Sequence, residues 1–200
     1  MAKMSIAAMR ANSKCSEFLI SLGIAGHGGL RWDPTREGYC DFTFGCRAGP
    51  GKANIMDLCH ELAHAAQFGP ELYRYRARED GFKFKIPHVW VADTWCEEAK
   101  TAQATLRELD TFAHQAHLLE ASGMQFSRSE MFTYAGEILV RWMHDWYQIP
   151  GDNEAGRRQW CSDQAEVLYR KRSQSEVLDR LKGWLDKTEA RFKRLSRAAA

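Results

Sequence analysis

The segment Asn54-Ile55-Met56-Asp57-Leu58-Cys59-His60-Glu61-Leu62-Ala63-His64-Ala65-Ala66-Gln67 constrains this chain most, because it sets two histidines four residues apart inside a helical pattern. Positions i and i+4 of a helix lie one above the other, so His60 and His64 aim at one point, with Glu61 turned about 100° aside. Leu58, Leu62, Ala65 and Ala66 supply an apolar stripe beside them, and Asn54 follows Gly49-Pro50-Gly51 as a candidate N-cap. One ion can take both imidazoles, and a glutamate that does not bind the ion can handle a water on it.

The rest of the composition sets bounds. Two hundred residues suit one domain of ordinary size, and 44% hydrophobic with 27% charged residues is typical of a globular chain. Arg10, Asn12, Ser13 and Lys14 interrupt the N-terminus before a signal-like apolar core accumulates, and no run approaches the length of a membrane span. A cytoplasmic protein with no membrane partner is expected. The six cysteines (Cys15, Cys40, Cys46, Cys59, Cys96, Cys161) contain no C-x-x-C pair and read as reduced; Cys59 reads as a packing residue. A net charge of +2 gives no general steering toward nucleic acid, and such a partner is not expected. Arg74, Arg76 and Arg78, interleaved with Tyr73 and Tyr75, and the basic run from Lys182 onward read as solvated surfaces. Nothing in the sequence sets the oligomeric state.

Helical spacing runs from about Ser5 to Leu22, with Gly23 as its stop, and His27 lies in the glycine-rich turn that follows. Tyr39 to Phe44 alternates as a half-buried strand does, and Phe82 to Val91 reads as extended. A long helix is expected from Asp93 or Thr94 to Gly123, a third from Ser127 to about Gln148, and a helical tail from Glu154 to Arg197 with a break near Lys171 to Ser175. The expected fold is therefore α+β and mainly helical. A metal-binding core over residues 1–125 carries a small antiparallel sheet, and a helical region over 126–200, ending in a basic tail, packs on it.

A catalytic metal site needs a third protein ligand. On the expected long helix Glu98 lies about 60° from the centre of the apolar face and Glu108 about 140° away. This favours Glu98, with Glu108 as the alternate.

The segment from His60 to His64 resembles the ligand helix of the zincin metallopeptidases, and Trp95-Cys96-Glu97-Glu98-Ala99 resembles the W-x-x-E-G segment through which the gluzincin branch supplies a glutamate ligand. Arg107 to Ala113 is similar to the R-E-x-x-A-D stretch of other gluzincins and to a segment of ImmA-like peptidases, with Phe112 where an acid or amide usually stands. A SprT-like arrangement would instead draw a histidine from His88, His114 or His117. The resemblance covers residues 39 to 121. It implies Zn2+ held by His60, His64 and a glutamate, Glu61 as general base, and hydrolysis of a peptide or protein substrate. Tyr134, His144 and Tyr147 are candidates for stabilising an oxyanion. The competing expectation is a zincin-like module that keeps zinc for structure and binds a protein partner without turnover.

Overall fold

The chain's helical periodicities become seven helices among the residues that the computed structural model describes, which are 3–30, 32–33, 44–45, 54–68, 74–77, 83–86, 102–142 and 149–198. The single N-terminal helix expected from Ser5 to Leu22 is two: α1 (Ile6–Ala11), capped by the Ser5 hydroxyl, and α2 (Cys15–Ser21). Asn12 makes the break. Its side-chain oxygen accepts from Lys14 N at 3.0 Å, and its carbonyl accepts from Ile55 N at 2.9 Å, so the interruption also pins the start of the helix that begins at Ile55. Gly23, at φ +67°, then stops α2 as a left-handed residue after a helix does.

The metal-motif helix is α3 (Ile55–Phe68), with the Asn54 side chain accepting from Asp57 N at 3.0 Å. Ile55, Met56, Leu58, Cys59, Leu62, Ala63, Ala65 and Ala66 are all buried, and burying each large apolar side chain is worth about 1.5–3 kcal/mol. Beside α3 runs α4 (Ala102–Ala121), which also packs against α5 (Arg128–Trp142), α6 (Glu154–Arg170) and α7 (Gln174–Ala198). With neighbours on all sides, α4 buries Leu109, Phe112, Ala116 and Leu119 and also Thr105, Thr111, His114, Gln115 and His117. The α6–α7 break lies where the sequence places it: Lys171 closes α6, and the Ser173 hydroxyl accepts from Glu176 N at the start of α7.

Three polar ties fasten α7 and its entry turn to preceding parts of the chain. Arg180 donates to Ala66 O at 2.9 Å and Gln67 O at 2.6 Å, satisfying carbonyls that the C-terminus of α3 leaves open. Arg172 pairs with Asp110 of α4 at 2.5 Å. His27, which sequence alone leaves in a turn, bonds Asp186 of α7 at 3.1 Å. One buried cluster extends from Ile6 to Leu185. No helix among the described residues is long and apolar enough to cross a membrane.

The expected α+β class is corrected by this arrangement. Extended backbone among the described residues is limited to β1 (Trp32–Asp33) beside β2 (Phe44–Gly45) and β3 (Arg74–Ala77) beside β4 (Lys83–Ile86), and the small antiparallel sheet does not exist as a layer of the fold. Period-two alternation such as Phe82-Lys83-Phe84-Lys85 suffices for a local pairing. Two short strands cannot build a core face, whereas four helices already enclose α4. The rest of the strand expected from Tyr39 lies outside the described residues, as do Glu98, His88, His144 and Tyr147.

The His27 turn rests directly on α7. A Cβ on Gly29 would run into the Leu185 carbonyl oxygen, whereas the atoms nearest to one on Gly28 belong to the flexible Glu189 side chain. Gly29→Ala is expected to lower unfolding free energy by about 1–3 kcal/mol, the usual cost of overpacking, and Gly28→Ala by clearly less. Urea denaturation of the two variants checks this, and equal losses would rule out the backbone contact as the cause.

Candidate metal centre

The helical spacing of His60 and His64 does bring their rings together: the centroids are 4.7 Å apart and the planes almost perpendicular. What closes the group is Glu108 of α4. Its Oε1 lies 3.0 Å from His60 Nε2 and 3.8 Å from His64 Nε2. The ligand atoms of the three residues all lie within 4.8 Å of one another, a group that can hold a metal ion. His64 and Glu108 are buried, while the His60 side chain is 21% exposed, so the cluster has one wetted edge.

Glu108 belongs to a polar stripe. With α4 spacing of three and four, Glu108, Thr111, Phe112 and Gln115 fall on the side that meets α3. Thr111 Oγ1 is 3.1 Å from His64 Nδ1, Gln115 Oε1 is 3.2 Å from His60 Nδ1, and the Phe112 ring lies 4.8 Å from the His60 ring. The apolar face drawn from sequence assumes that α4 is buried along one side, which places Glu108 far from the centre of that side. Because α4 is enclosed, its polar stripe also faces a helix. Thr111 and Gln115 were not among the sequence candidates. Their offsets of three and seven from Glu108 are the signal that points to them, once Glu108 is known to face α3.

The other sequence candidates serve elsewhere. His114 turns its Nδ1 to the Asp110 carbonyl at 2.7 Å, and His117 stacks on Tyr169 at 4.0 Å and bonds that residue's carbonyl oxygen. Tyr134 is adjacent to Phe112 and to the Arg10 guanidinium. Cys59 is fully buried against the Gln115 carbonyl, 3.6 Å from its sulfur, as a packing thiol.

The electrostatics of these side chains suit an exchange of protons for a cation. Burial would raise the Glu108 carboxyl, but His64 and His60 outweigh it and carry it down to about 2, so it is ionised. Burial likewise pulls His60 down, yet the hydrogen bond and charge of Glu108 lift it to about 9. Burial brings His64 down to about 4, leaving it neutral, and pushes Glu61, one residue past His60, up to about 7. The proton on His60 balances Glu108; a divalent ion on the same donors would displace that proton and take over its role. Two imidazole nitrogens and one carboxylate oxygen are also a donor set that first-row divalent ions accept with positions left open.

Comparisons with protein families, with curated proteins and with solved structures find no match to this chain.

The His60–Glu108 contact generates a pH dependence. Between the ordinary histidine value of 6.5 and about 9 the folded chain holds a proton on His60 that the unfolded chain has lost. The contribution of this group to stability is therefore complete below pH 6.5 and disappears as pH rises through about 9. In metal-free protein, histidine NMR titration is expected to show one ring titrating near 9, and Glu108→Gln to bring that midpoint down. A wild-type His60 midpoint at or below 6.5 would contradict the contact.

Proposed function

We propose that this chain is a zinc-dependent peptidase of zincin type, in which His60, His64 and Glu108 hold the ion and Glu61 is the general base. The observation that carries the reading is the convergence of the two Nε2 atoms on the Glu108 carboxylate, with a further glutamate placed directly after the first histidine. Zinc in such a three-ligand site supplies an acidified water and a Lewis acid for a scissile carbonyl. A carboxylate oxygen of Glu61 takes the proton from the attacking water and returns it to the departing amine nitrogen. Its burial supports that double duty, since a carboxyl held near neutrality can both accept and release a proton. The neutral state of His64 and the ionised state of Glu108 are the forms that ligate. The substrate class is a peptide or protein, and the buried thiols Cys15, Cys59 and Cys161 support a reducing, cytoplasmic setting.

Five variants and a metal analysis test this together. Protein purified without chelator is expected to carry about one zinc per chain, and alanine at His60, His64 or Glu108 to lose it. Glu98→Ala is expected to keep it. Glu61→Gln is expected to retain zinc and lose hydrolysis of a fluorogenic peptide library by a factor of about 100 or more. Turnover that survives in Glu61→Gln refutes the peptidase mechanism, and partner binding without turnover in wild type identifies the protein as a binding module instead.

A further inference from the structure

Two buried side chains of α4 that are not metal ligands hold the outer nitrogen of each histidine, and their own partners decide which way the hydrogen bonds run. Gln115 is 1% exposed, and its Nε2 donates to the Met56 carbonyl at 2.8 Å. That bond orients the amide, so the atom facing His60 Nδ1 at 3.2 Å is Oε1, which can only accept. His60 Nδ1 therefore carries a hydrogen. Thr111, fully buried, has a single hydroxyl hydrogen and two carbonyl-type oxygens within reach, Gln67 Oε1 at 3.1 Å and Arg107 O at 3.2 Å. Gln67 is itself oriented, because its Nε2 donates to Arg107 O at 2.7 Å and Asp110 Oδ2 at 3.1 Å. With its hydrogen directed to one of those oxygens, the Thr111 hydroxyl accepts from His64 Nδ1 at 3.1 Å.

With both Nδ1 atoms as hydrogen donors, each ring in its neutral form presents an Nε2 lone pair. Those lone pairs face the carboxylate of Glu108, which lies on the same stripe of α4 as Thr111 and Gln115. Negative density on both sides of so short a gap is repulsive until a positive charge enters it. A divalent cation placed there satisfies all three donors at once.

We propose that Thr111 and Gln115 are positioning residues that fix His64 and His60 as Nε2 donors toward a divalent cation. One helix then contributes a ligand and both orienting groups, while the other contributes the two rings. This rests on the metal-site reading of His60, His64 and Glu108 and is independent of peptidase turnover. Thr111 and Gln115 do not touch the ion; they act through the rings, keeping each in one tautomer and one rotation.

The test uses the full chain and zinc alone, with affinity measured at neutral pH by competition against a chromogenic chelator and folding of the metal-free variants followed by urea denaturation. Thr111→Val keeps the shape and loses the acceptor; Gln115→Met keeps the length and loses the amide. Each is expected to weaken zinc binding by about 10–100-fold, the usual effect of removing an outer partner of a metal-bound histidine. Thr111→Ser, which retains the hydroxyl, is expected to stay close to wild type. Long-range nitrogen–proton NMR of zinc-loaded wild type is expected to show metallated Nε2 and protonated Nδ1 on both rings, a readout that does not depend on any variant folding. Unchanged affinity in both Thr111→Val and Gln115→Met, or metallation through Nδ1 in wild type, overturns the proposal. A wild-type chain that binds no zinc overturns the metal-site reading as well, and is distinguished from the first result by the wild-type titration itself.

Discussion

The structure depends on a buried carboxylate meeting two imidazoles across the contact between α3 and α4. Glu108 sits where desolvation pushes its carboxyl toward the protonated form, and it stays ionised because both rings face it. Breaking such a pair by removing one partner typically costs about 3–5 kcal/mol, since the remaining charge is left uncompensated. The interface between these helices is therefore specified electrostatically as well as by packing. A slide of one helix along the other would separate Glu108 from the rings and Gln115 from Met56 O together.

The surrounding architecture serves to keep that interface in register. Arg180 of α7 caps the end of α3 just past His64, and Arg172, in the turn before α7, holds Asp110 of α4. Asp110 in turn accepts from Gln67, whose amide orients the Thr111 hydroxyl against His64. The C-terminal helices thus reach the site through an unbroken series of hydrogen bonds, although none of their residues is a candidate ligand. Such a series is rigid only when each member is satisfied, and Asp110, Gln67 and Thr111 each have their partners.

The helices themselves were largely legible in the sequence, because capping residues and apolar spacing act locally. Asn54 caps α3, Gly23 stops α2, and the break near Lys171 to Ser175 separates α6 from α7, each as the residue types imply. The split at Asn12 was not legible, since it depends on a bond to Ile55, forty-three positions on. The α+β expectation failed for a related reason. Alternating residues signal an extended segment, but whether extended segments assemble into a layer depends on what else covers the core, and here helices cover it.

At the site, sequence alone determined the pair of histidines and the glutamate after the first, because a helix makes residues four apart neighbours whatever surrounds it. The tertiary structure decided that Glu108 meets them and that Thr111 and Gln115 hold their far nitrogens. Those choices require knowing that α4 is enclosed by helices, so that its polar stripe faces α3 and not water. A single helix's periodicity cannot carry that information: it ranks faces by hydrophobicity, whereas a buried polar face is selected by the partners that neutralise and hydrogen-bond it.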